Sequence, residues 1–126
     1  MLDLAVNLCK NIIDFINSEK RIETENRKLV SDILTEISDI LDNTANSLKK
    51  DEYPHKNCQI MQNLSLNLCD KLSKYISPSD LNRLETVLID ASRIEGEFAL
   101  RNEPDTIPRI EMASGEFKSM AILMKL

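Results

Sequence analysis

The sequence predicts an all-α fold, an up-and-down bundle of four or five helices, on three observations. Glycine and proline are scarce, 2 and 4 residues of 126, and a chain with few turns and no need of left-handed backbone is mostly helix. Apolar residues recur every three or four positions along most of the chain, the period of one buried helical face. Aromatic residues are only 4%, with no tryptophan, so the core must be built from Leu, Ile, Val and Met.

The first fifty residues contain no glycine or proline. Their apolar positions are Leu2, Ala5, Cys9, Ile12 and Ile16, then Leu29 or Val30, Ile33, Ile37, Ile40 or Leu41, and Leu48. The two runs flank the polar stretch NSEKRIETENRK, and their phase is roughly kept across it. That favours one long or kinked N-terminal helix. The alternative is two helices, with Asn17, Ser18 or Thr24 as a new N-cap. After the break KKDEYPH, Pro54 suits the first turn of a helix, where its missing N–H costs nothing. Cys58, Met61, Leu64 or Ser65, Leu68, Leu72 and Tyr75 then give that helix its apolar face.

The segment ISPSDL is the clearest start signal in the chain. Ser77 reads as the N-cap and Pro78 as the first helical residue, with Asp80 near the free N–H groups. Ile76 and Leu81 have the spacing of a hydrophobic staple. The tight link makes this helix an antiparallel neighbour of the one before it. Its periodicity runs through Leu81, Leu84, Leu88, Ala91, Ile94 and Phe98, and Gly96 inside it suggests a close neighbouring backbone. Two prolines make RNEPDTIP a loop. A last helix, Pro108 to about Lys125, buries Ile110, Ala113, Phe117, Met120 and Met124, with Gly115 inside.

The length suits a single domain, residues 1–126. A net charge of −5, with Lys and Arg gathered in no patch, argues against nucleic acid and anionic membrane as partners. Three irregularly spaced cysteines do not make a secreted disulfide framework. The N-terminal segment lacks a basic start and carries Asp3 within its apolar run, so it is a poor signal peptide. No stretch approaches the roughly 18 apolar residues of a membrane span. A cytoplasmic protein is the expectation.

Chemistry has few candidates. His55 is the only histidine, and Cys58 lies three residues on, on the same helical face. Cys69 is a further eleven residues along, roughly 16 Å up a straight helix, too far for one ion to reach both cysteines. A zinc site would need Cys9 and a carboxylate from elsewhere. A Cys–His nucleophile would need an oxyanion hole and an orienting group; the N–H groups after Pro54 could supply donors, but nothing in the sequence singles out the rest. Buried cysteines acting as small apolar residues are the simpler reading, and no metal or cofactor is expected. Three helical enzyme patterns also fail. A carboxylate-bridged di-iron bundle needs two Glu-x-x-His motifs, against one histidine. A HEPN-type ribonuclease needs an Arg shortly before the His. A MazG-type pyrophosphohydrolase needs a second acidic pair beside Glu36-x-x-Asp39.

Glu25, Asp32, Glu36 and Asp39 share one face of the early helix. They read as a solvated side, the alternative being an acidic mimic of nucleic acid that blocks a basic partner. The N-terminal apolar residues Leu2, Leu4, Leu8, Ile12, Ile13, Phe15 and Ile16 cover more than one stripe, which points to self-association. Met112, Met120 and Met124 add adaptable contact surface. The 102–108 loop, with Glu103 and Asp105, is the candidate for a specific contact outside the core. The expected function is therefore a non-enzymatic protein–protein interaction module that binds itself, a hetero-partner, or both.

Overall fold

Buried side chains explain where the helices lie. The computed structural model describes residues 6–11, 13–14, 24–52, 55–74, 77–92 and 106–125, which contain five helical segments and no strand. These are α1 (residues 6–11 and 13–14), α2 (Thr24–Lys49), α3 (His55–Leu72), α4 (Pro78–Ser92) and α5 (Thr106–Lys125). The fold is an all-α helical bundle. Short links turn the chain back between α2 and α3 and between α3 and α4. The long return to α5 brings that helix against α2, and this is the most extensive helix pair.

On α2 the buried positions are Val30, Leu34, Ile37, Leu41 and Thr44, spaced four and three apart. Ser31, Ser38 and Ala45 line their edge, seven residues apart and also buried. On α5 the matching face holds Ile110, Ala113, Phe117, Met120 and Met124, edged by Ser114 and Ala121. All five expected core positions of the last helix are found there. On α2 the open alternatives resolve to Val30 and Leu41 and Ile37 is buried as expected, while Leu34 takes the place expected for Ile33, which lies at the margin with Leu48.

Hydrogen bonds show that α2 and α5 run antiparallel. The Arg27 Nε–H donates to the Met124 carbonyl at 3.0 Å, and the Ser31 hydroxyl donates to the Ala121 carbonyl at 2.7 Å. At mid-length Ser38 Oγ lies 2.9 Å from the Ser114 carbonyl, and Ser114 Oγ lies 2.9 Å from the Ser38 carbonyl. The two hydroxyls are themselves 2.9 Å apart. Two protons serve these three contacts, so either both hydroxyls bond across to carbonyls or one donates to the other. A serine hydroxyl stands only one bond beyond Cβ. Reaching a carbonyl of the opposite helix therefore requires the two backbones to approach closely.

The helix ends follow capping rules. The Ser77 cap is as expected: Ser77 Oγ accepts from the Asp80 N–H at 3.2 Å, and its carbonyl accepts from the Leu81 N–H at 2.9 Å. Helix α3 begins at His55, directly after Pro54, which itself lies outside the described residues. Helix α5 begins at Thr106, two residues before the expected start at Pro108. That part of the 102–108 loop is helical, because a proline is tolerated in a first turn. The stretch 15–23, on which the choice between one N-terminal helix and two depends, lies outside the described residues, as do Ile94, Gly96 and Phe98. What α1 shows is Val6, Cys9 and Ile13 turned into the common core.

The end of α2 departs from expectation. The Glu52 N–H reaches the Ser47 carbonyl at 2.9 Å and the Asp51 N–H reaches the Leu48 carbonyl at 3.1 Å. This is the paired-bond Schellman ending, whose C′ residue is left-handed. Asp51 occupies it, with φ of 57°, although the scarcity of glycine had suggested that no residue would need positive φ. A Cβ in this region costs about 1 kcal/mol relative to glycine. Asp51→Gly is therefore expected to raise the free energy of unfolding by about 0.5–1 kcal/mol in a urea titration, whereas a glycine at exposed Glu52 is expected not to.

Candidate functional site

Helix α5 carries apolar residues on two opposite sides. At 3.6 residues per turn, Ile110, Ala113, Phe117, Met120 and Met124 share the inward face. Met112, Gly115, Ser119 and Ile122 fall roughly 180° away, with Leu123 beside them. Met112 is 71% exposed, Ile122 56% and Leu123 45%. An amphipathic helix in a two-layer packing needs only one apolar face, and packing within the chain satisfies only the inner one here.

Gly115 sits in the middle of the outer stripe. A Cβ built there meets no atom within 4 Å, so none of the described residues requires a glycine, which costs about 1 kcal/mol against alanine in a helix interior. The neighbouring Ser119 hydroxyl turns back onto the Gly115 carbonyl at 2.9 Å and leaves the surface above it low. Exposed charges border the stripe on both flanks: Arg109 and Glu116 on one, Glu111 and Lys118 on the other. Glu111 also pairs with Lys49 at 3.1 Å, a half-exposed contact worth about 1 kcal/mol or less. Beyond the first flank lies an open groove of about 240 Å³ between Val6, Asn7 and Lys10 of α1 and Met112, Ala113 and Glu116 of α5. Met112 belongs to both stripe and groove, so the two are continuous.

The sequence-based contact residues are divided by the structure. Ile13 is 1% exposed within the single chain and Leu8 is half-buried. Leu2, Leu4, Phe15, Ile16, Glu103 and Asp105, and the side chain of Ile12, lie outside the described residues. Of the three methionines expected at a surface, Met112 is there, but Met120 and Met124 are core residues, because they fall on the α5 face turned to α2. Ile122 and Leu123 were not anticipated. Their signal was present: they are apolar, yet lie off the stripe defined by Ile110, Phe117 and Met124.

The cysteines behave as apolar residues. Cys9 and Cys69 are buried, and Cys58 is half-buried. Burial raises the Cys9 thiol far above the ordinary range, with Cys69 adding to it. Burial likewise pushes Cys69 up to about 12, helped by the Glu85 carboxylate. Neither thiol is a nucleophile near neutral pH. His55 opens α3, but its side chain lies outside the described residues. Among the described residues no three His, Cys, Asp or Glu side chains gather as a metal-holding group. Asp32, Glu36 and Asp39 are exposed along α2, as on a solvated helix side. Among the described residues, the Ser65 hydroxyl is buried without a hydrogen-bond partner.

Comparison with protein-family models, curated proteins and solved structures found no match. Among the described residues, no helix is long and apolar enough to cross a membrane.

The thiols give a direct check of the packing. A thiol reagent at pH 8 is expected to modify Cys58 first, with Cys9 and Cys69 reacting only on unfolding. The raised thiols also set a pH dependence. Their protonated forms are favoured in the folded state, so their contribution is intact below the ordinary thiol value of 9.0 and is lost as pH rises from there towards about 12. Unfolding midpoints are expected to fall across that alkaline range, and replacing Cys69 by alanine is expected to flatten the fall.

Proposed function

We propose that this protein is a non-enzymatic protein–protein interaction module, one that self-associates or serves as a small subunit of a larger complex. The observation that carries the reading is the second apolar face of α5, with Met112, Ile122 and Leu123 left in solvent. Exposed apolar residues on one face of a helix, rimmed by charges, are one form of an association surface. The half-buried Leu8 on α1 and the groove beside Met112 extend it. Cys9, Cys58 and Cys69 form no disulfide, which suits the reducing, cytoplasmic setting that the composition suggests. The buried, raised thiols of Cys9 and Cys69 support a reading in which those two take no part in thiol chemistry.

Light scattering on a size-exclusion column, at two concentrations under reducing conditions, tests this. The expected result is a mass above that of one chain, rising with concentration. A single-chain mass at both concentrations would remove self-association and leave only a hetero-partner.

A further inference from the structure

The outer face of α5 has a charge pattern that is complementary to itself. Arg109 and Glu116 lie seven residues apart on one flank, and Glu111 and Lys118 lie seven apart on the other. Each flank thus carries one positive and one negative charge, two helical turns apart. In an antiparallel helix pair related by a two-fold axis, each flank meets the same flank of the partner, with its order reversed. A second copy of α5 laid antiparallel on the first therefore sets Arg109 against Glu116 and Glu111 against Lys118, each twice.

The same register solves the problem of Gly115. With the two-fold axis passing between residues 113 and 114, Met112 of each copy lies over Gly115 of the other. The most exposed large apolar side chain of the helix then fills the one place on the stripe where no Cβ stands and no atom lies within 4 Å. Met is the side chain best able to adapt to such a hollow. The two charge pairs centre, on average, on the same axis as the Met112–Gly115 contact, and in this register Ile122 and Leu123 lie beyond the start of the partner's α5.

We infer that α5 is a homodimerisation helix, pairing antiparallel with α5 of a second copy through Met112 and Gly115 and flanked by Arg109–Glu116 and Glu111–Lys118 pairs. This rests on the interaction-module reading above and names the partner for it. The stripe from Met112 to Ile122 is only about 15 Å long, which puts the dimer among the small, weaker interfaces. The groove along α1 adds contact area next to Met112. Glu111 has two carboxylate oxygens, so its bond to Lys49 does not prevent the second pairing.

Sedimentation equilibrium of the full chain, under reducing conditions and with helical content followed by circular dichroism, tests the pairing. Met112 is mostly exposed, so Met112→Glu is expected to weaken the dimer at least roughly tenfold while leaving the monomer folded. Arg109→Glu and Glu116→Arg are each expected to weaken it. The double variant, which reverses both charges of that flank, is expected to recover most of the loss. A parallel pair would instead set Arg109 against Glu111 and Glu116 against Lys118, so the double variant would be worse than either single one, and that result overturns the register. A dimer indifferent to Met112→Glu but dissolved by Leu8→Glu overturns the inference while sparing the wider reading, because association would then run through α1. A monomer at every concentration overturns the inference and restricts the wider reading to a hetero-partner.

Discussion

The contact between Ser38 and Ser114 sets the distance between the two helices on which the bundle is built. Each hydroxyl lies 2.9 Å from the backbone carbonyl of the other residue, and Ser31 repeats the arrangement two turns away with the Ala121 carbonyl. Such short side chains can bridge two helices only if the backbones are close. Small residues at seven-residue intervals, Ser31, Ser38 and Ala45 on α2 with Ser114 and Ala121 on α5, keep the seam open to that approach along its length. The energy comes mainly from elsewhere. A fully buried Leu, Ile, Phe or Met contributes about 1.5–3 kcal/mol, against about 1 kcal/mol for a buried hydrogen bond. The serines act chiefly on register, because sliding α5 by a turn would leave buried hydroxyls without partners, at about 1–3 kcal/mol each.

This constraint shapes what α5 has left to offer. Its inner face is committed to α2, with Arg27 on the Met124 carbonyl at one end and Lys49 on Glu111 towards the other. A carbonyl near a helix C-terminus lacks an intrahelical donor, and a guanidinium there meets both that need and the negative end of the helix dipole. Held in this way, α5 presents its outer stripe on a rigid support. Rigid presentation lowers the ordering cost of association, so even a short apolar stripe can serve as a contact.

Some of this was legible in the sequence and some was not, for identifiable reasons. The Ser77 cap and the inner face of α5 were plain because local chemistry and strict spacing determine them. The choice between Leu29 and Val30, or Ile40 and Leu41, was open because two adjacent stripes satisfy the same period, and only the neighbouring helix selects one. Ser31 and Ser38 went unnoticed because a search for apolar periodicity passes over small polar residues, although their seven-residue spacing is visible once sought. Asp51 was missed as a left-handed cap because that position usually signals itself with glycine. Of the outer face only Met112 was anticipated: Ile122 and Leu123 stood out once the packing showed which residues the core had already taken.

The most direct test of the close approach is the free energy of unfolding of two variants at one position, Ser38→Ala and Ser38→Leu, from urea titration. The close seam predicts that alanine costs about 1 kcal/mol, the loss of a buried hydrogen bond. It predicts that leucine costs at least about 2 kcal/mol, because there is no room for it. Apolar transfer alone would favour leucine over alanine. A Ser38→Leu protein as stable as the Ser38→Ala protein, or more so, would mean that the helices are not held close at this level, and the account of the seam would be wrong.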